Sequence, residues 1–114
     1  MRHCLILDLK DDAEAIARYR HWHARGAPPA RVIRSIRTAD IREMEICLSG
    51  NRLVMILEVG PRFSFEAKAA ADAADPDVQA WERLMSQVQQ PVPWAAPDEK
   101  WVRAETIFRL SEQP

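Results

Sequence analysis

Glycine is scarce, with three in 114 residues, so the chain cannot build a glycine-rich phosphate cradle. There are two cysteines, Cys4 and Cys47, each in an apolar strand-like run and neither in a Cys-x-x-Cys pair. That argues for buried free thiols over a disulfide framework. Histidines are few as well, and no His-x-x-x-His or Glu-x-x-His pair occurs, so no metal site is expected. No serine sits in a Gly-x-Ser-x-Gly setting. Excess charge is missing: 16 basic against 17 acidic residues give a formal net charge of -1, which offers nucleic acid or an anionic membrane nothing to bind. Arg31, Arg34 and Arg37 recur at intervals of three, but Asp40, Glu43 and Glu45 follow, so the region reads as a solvated surface of mixed sign. No apolar run is long enough to span a membrane. Asp8 interrupts the apolar start, so no secretory signal is expected, and a reducing cytoplasm is the simplest setting.

What is present suffices for one folded domain over residues 1–114. Apolar residues make up 47% of the chain and charged residues 29%. His3 to Leu9 reads as a buried strand bounded by Lys10-Asp11-Asp12. Asp11 or Asp12 can cap a helix over 13–24, which Gly26 and Pro28-Pro29 stop. Residues 29–38 suit a shorter helix, with Val32, Ile33 and Ile36 on one face. Residues 41–48 and 53–59 flank Ser49-Gly50-Asn51 and predict a hairpin. Residues 63–74 are helical in character. Asp75-Pro76 then caps a second helix carrying Val78, Trp81, Leu84, Met85 and Val88 at helical period. Three prolines in 91–97 predict an extended loop, and 101–110 reads as a final strand. The order is the βαββαβ pattern of a ferredoxin-like α+β sandwich. Its helices cover one sheet face only. The other face needs a cover, and a second copy would supply it, so a homodimer is expected.

The chemistry concentrates in Tyr19-Arg20-His21-Trp22-His23. Tyr19 and His23 are four residues apart and share a helix face. An imidazole titrates near working pH, and a phenol one turn away can bind a hydroxyl or orient it. His21 points elsewhere. A tyrosine and a histidine near a helix end are also common rim residues, so the pair alone does not make a site. Four tryptophans, at 22, 81, 94 and 101, offer flat faces for sugar stacking. Helical period with Leu84 and Met85 assigns Trp81 to the core on pattern alone, Trp101 can equally be core filling, and Trp94 in the proline-rich loop suits a lid or a dimer contact.

These segments together resemble the L-rhamnose mutarotase family. The resemblance rests on Tyr19-x-x-x-His23 with prolines soon after, on the hairpin Met44-Glu45-Ile46-Cys47 to Leu53–Val59, on Val78-Gln79-Ala80-Trp81-Glu82-Arg83-Leu84-Met85, and on Ile107-Phe108-Arg109-Leu110. It implies a small dimeric α+β barrel that interconverts sugar anomers without a cofactor. It places the catalytic proton donor on His23 and sugar-binding residues on Tyr19 and Trp81. Two positions depart from the rhamnose pattern. Glu82 stands where a second tryptophan is expected, and Met44 where a binding tyrosine is expected. Both are candidate substrate-binding positions, and their change opens the choice between L-rhamnose and L-fucose. Glu82 can hold a sugar hydroxyl, serve as a partner base, or simply be a surface carboxylate. Since the same architecture also hosts cofactor-free and haem-using monooxygenases, such an enzyme and a non-catalytic sugar-binding dimer are the competing readings.

Overall fold

A computed structural model covers residues 1–114. The first strand, β1 (Arg2–Leu9), leads into α1 (Ala13–Trp22) and α2 (Ala30–Thr38). A hairpin follows, β2 (Ile41–Ser49) and β3 (Arg52–Val59), then α3 (Phe65–Ala74) and α4 (Pro76–Ser86). Two short strands, β4 (Gln89–Gln90) and β5 (Val102–Arg103), complete the sheet. Strand order is β2-β3-β1-β4, all pairs antiparallel, with β5 also on β1. The α+β sandwich expected from the sequence is the one observed.

Helix starts follow local chemistry. Asp12 accepts a bond from the Ala15 N–H at 2.7 Å and opens α1. Ser64 does the same for α3 through Ala67 at 3.0 Å. Asp75 ends α3 and at the same time caps α4, accepting from Asp77 N–H at 2.9 Å with Pro76 in the first turn. Asp75 alone separates the two helices.

Register assigns the two sheet faces. Leu5, Leu7 and Leu9 of β1 point to the helices with Leu53, Met55 and Leu57 of β3 and Met44, Ile46 and Leu48 of β2. The core forms two buried clusters on that side. One joins Leu9, Ala15, Tyr19, Leu53, Met85 and Val88; the other joins Leu5, Ile41, Leu57 and Val59. Trp101 packs against both. The opposite face carries Cys4, Ile6, Val54, Ile56 and Val102, all only partly buried, with no helix above them. Asp8 also lies on this face. It is buried, and Arg52, its register partner on β3, donates to both carboxylate oxygens at 2.8 and 3.2 Å. Trp94 lies over that guanidinium, 5.0 Å from its carbon to the ring centroid.

Three expectations need correction. The final strand is two residues long, not ten: after Ala104, whose N–H donates to the Cys4 carbonyl at 2.8 Å, the chain runs on unpaired to a 3-10 turn at Leu110–Glu112. Its apolar side chains have no cover in this chain, with Ile107 90%, Phe108 65% and Leu110 77% exposed. Gln89–Gln90 forms an unforeseen strand that takes the place beside Leu9 and Asp8. Cys47, expected to be buried, is exposed, because its side of β2 is the open face; Cys4 is partly buried, and both thiols are free.

One close approach ties the hairpin to its flanks. Asp40 has φ 66°, and its carboxylate accepts from the Arg62 N–H at 3.0 Å. A Cβ at Gly60 would lie 2.2 Å from that carboxylate, so a larger residue there would force the carboxylate to shift. Gly60→Ala is expected to cost about 1–3 kcal/mol in urea unfolding, the usual range for overpacking. Asp40→Ala in the same chain should recover part of that loss. An unchanged midpoint for the single variant would show that the carboxylate yields freely.

Candidate functional site

Helix α1 ends at a point where its last carbonyls need partners. His23 is the C-cap, and its backbone N–H reaches the Tyr19 and Arg20 carbonyls, both at 3.2 Å. The side chain folds back too: Nδ1 lies 2.8 Å from the Tyr19 carbonyl oxygen. A carbonyl only accepts, so Nδ1 carries the proton and Nε2 is left as the free ring nitrogen. The imidazole stacks on the Tyr19 ring, with centroids 4.0 Å apart and planes at 27°. Trp81 from α4 meets it edge-on at 5.3 Å and 64°. Thus α1 supplies the imidazole and its acceptor, and α4 supplies an aromatic wall.

Burial sets the electrostatics. Desolvation lowers the His23 pKa below its usual 6.5, only partly opposed by the bond to the Tyr19 carbonyl. At neutral pH the ring is therefore mostly uncharged, with an Nε2 lone pair. Burial pushes the Tyr19 phenol far above its ordinary value, and the Gln89 side-chain amide pulls part of the way back. Tyr19 stays protonated at working pH and can only donate or accept hydrogen bonds.

The residues singled out in the sequence divide here. His23, Tyr19 and Trp81 come together. Glu82 is partly buried and turns along its own helix, where its Oε2 accepts from Gln79 at 3.4 Å. Met44 packs against the second cluster, opposite Leu57. Between the two clusters the helix-facing layer is thin. Leu53 and Leu57 are buried, while Met55 between them and Ile46 beside it are only partly covered. Gln89 was not foreseen, because a glutamine in the run Gln87-Val88-Gln89-Gln90 looks solvated. Only its pairing with Leu9 turns it inward. A separate cleft of about 410 Å³ between α2 and α3 shares no residue with this group. Its cations are largely paired: Arg31 with Asp77 at 2.6 Å, Arg62 with Asp40 at 3.8 Å, and Lys68 with Asp72.

The family profile for L-rhamnose mutarotase matches residues 2–110. The chain belongs to the L-rhamnose mutarotase family. Within that family it is 50% identical over 111 residues to an L-fucose mutarotase of Xanthomonas campestris pv. campestris, covering 97% of this chain and 89% of the relative. In three dimensions it resembles an L-rhamnose mutarotase from Formosa agariphila, with TM-score 0.64 at 16% identity over 96% of this chain and 98% of that one. A tetracenomycin F2 cyclase from Streptomyces glaucescens shares the fold at TM-score 0.56 and 16% identity, over 96% and 95% of the two chains. Mutarotase membership and the α+β architecture thus agree with the sequence expectation. No group of three or more His, Cys, Asp or Glu residues is arranged to hold a metal ion, and no helix is long and apolar enough to cross a membrane.

His23 is neutral in the fold and more readily protonated once unfolded. Its contribution to stability is therefore present above the unfolded value near 6.5 and is lost as pH falls through the lower folded value. Ring-nitrogen NMR should show the Nδ1–H tautomer at pH 7 and a midpoint below 6.5. An Nε2–H tautomer would contradict the bond to Tyr19.

Proposed function

We propose that this chain interconverts the α and β anomers of a 6-deoxy-L-hexose pyranose, with L-fucose the preferred sugar over L-rhamnose. The observation that carries the reaction is the imidazole of His23, held by Nδ1 with Nε2 free beside Trp81. Support for L-fucose comes from the relative 50% identical to this chain, together with Glu82 and Met44 at the two altered positions.

The chemistry needs one proton moved in each direction. Nε2 of neutral His23 takes the proton of the anomeric hydroxyl. The ring C–O bond breaks as the anomeric carbon becomes an aldehyde, and the imidazolium gives its proton to the former ring oxygen. Rotation about one bond and closure from the other face reverse these steps. His23 is thus the acid at the ring oxygen, charged with a proton that the substrate supplies. Trp81 stacks on the sugar, Tyr19 donates to a hydroxyl, and Met55, Ile46 and Met44 form an apolar floor. Glu82 holds a further hydroxyl at the rim.

Saturation-transfer NMR between anomers tests this. His23→Ala should slow exchange of L-fucose by about 10²- to 10⁴-fold, the usual worth of a positioned acid or base. Wild-type rates in that variant for both L-fucose and L-rhamnose would remove His23 from the reaction. In the native enzyme kcat/KM should rise with pH through a midpoint below 6.5 and then level off. A fall over the same range would mean that the ring starts protonated.

The chain acts as a cytoplasmic homodimer in this reading. Two features support a second copy: the open sheet face with Cys4, Ile6, Val54 and Ile56, and the tail whose Ile107, Phe108 and Leu110 stand in solvent. Light scattering should give twice the chain mass for the full protein and a lower mass once residues 105–114 are removed. A full-length monomer at micromolar concentration would refute the dimer.

A further inference from the structure

The cleft of about 410 Å³ between α2 and α3 has a lining that sets it apart from the sugar site. Small-molecule clefts are mostly apolar, but here the apolar share is three alanine methyls, from Ala39, Ala67 and Ala71. An acyl chain or an aromatic ring would find little to pack on. Arg31, Arg34, Arg62 and Lys68 line the space against a single carboxylate, Asp75, whose Oδ1 is already engaged as the α4 cap. The ion pairs of these cations leave donors over. Arg31 meets Asp77 at 2.6 Å and Arg62 meets Asp40 at 3.8 Å, both through Nε, so neither pair uses the terminal Nη groups. Lys68 Nζ donates to Ser35 Oγ at 3.2 Å and to Asp72, which leaves its third N–H. Arg34, with neither an ion pair nor a side-chain hydrogen bond, stands between the cleft and a more open hollow lined by Arg37 and Thr38. Ser64 accepts from the Ala67 N–H at 3.0 Å, so its own hydroxyl proton remains to donate. Both residues bring the positive end of a ten-residue helix to the same wall.

We propose that the α2–α3 cleft binds a phosphate dianion, free or as the monoester of a small polyol. Guanidinium forks and hydroxyl donors around a hollow without a large apolar wall suit a group made of acceptor oxygens. A carboxylate offers one charge and two oxygens, and would leave most of these donors idle. A phosphate monoester offers close to two charges and three strong acceptors. The volume lies in the range of small-ligand sites, so a short hydroxylated chain fits beside the phosphate. Residues of α2 and α3 pack on the helix side of the sheet, so a second copy on the open face leaves the cleft uncovered. The cleft shares no residue with the His23 group and does not rest on the mutarotase reading.

The full chain, labelled with ¹⁵N, is titrated in separate experiments with inorganic phosphate, glucose 6-phosphate and glucose, and amide shifts are followed. Amides of residues 31–38 and 64–68 should move and saturate with both phosphates and stay still with glucose. Tighter binding of inorganic phosphate identifies a site for the free anion; tighter binding of glucose 6-phosphate identifies one for a monoester. Arg34 is exposed and bonds to nothing, so replacing it keeps the fold. Arg34→Gln should weaken both phosphates about 10- to 100-fold, the usual worth of hydrogen bonds to a charged group. Ala67→Leu, which fills the cleft without changing its charge, should remove saturation by glucose 6-phosphate. Lys10→Gln makes the same charge change at the other end of β1 from the Asp40–Gly60 corner, and should alter affinity less than about 2-fold. Shifts that grow linearly with ligand and never saturate would overturn the proposal. So would equal losses in Arg34→Gln and Lys10→Gln, which would mean a diffuse field and no built site. Saturable binding that survives Ala67→Leu would place the anion outside the cleft, and glucose binding as tightly as its phosphate would remove the phosphate from recognition.

Discussion

The site depends on one hydrogen bond, from Nδ1 of His23 to the carbonyl of Tyr19. It is a helix C-cap before it is anything else, since the last turn of α1 has carbonyls to satisfy and a histidine can reach back to them. The cap has a chemical by-product. It fixes which ring nitrogen carries the proton, and so it fixes which one is left free. A structural need of the backbone and the tautomer that the proposed proton transfer requires are met by the same atom pair.

Two opposing influences act on that imidazole. A helix C-terminus favours a cation, and the Tyr19 carbonyl is part of that terminus. Burial between Tyr19 and Trp81 favours the neutral ring, and burial prevails. The aromatic neighbours thus act on the imidazole without exchanging protons: they bury it, pack against its ring and favour its neutral form. In the same way a high phenol pKa keeps Tyr19 a hydrogen-bond partner and not a base.

Much of the fold was legible because periodicity and caps agree. Asp12 and Asp75, both readable as caps, start helices in the structure, and the Gly50 turn joins β2 and β3. The pairing of Tyr19 with His23 was legible for the same reason, since four residues make one turn. The last strand misled, because Trp101, Ile107, Phe108 and Leu110 are apolar enough for a strand but no neighbouring strand in this chain is available beyond Arg103. Asp8 was readable only as an interruption; its partner Arg52 is 44 residues away and is fixed by strand register. Gln89 was hidden for a related reason. A two-residue strand has no period, and its inward direction is decided by Leu9 across the ladder.

The shared residue at Asp75 has a consequence for how this chain can vary in length. Because one side chain ends α3 and begins α4, the corner contains no spare residue to absorb an insertion or deletion. Each residue gained or lost between Asp75 and Trp81 would swing the indole about 100° around the helix axis. Homologous chains that keep the aromatic wall against the imidazole should therefore be gapless across this stretch.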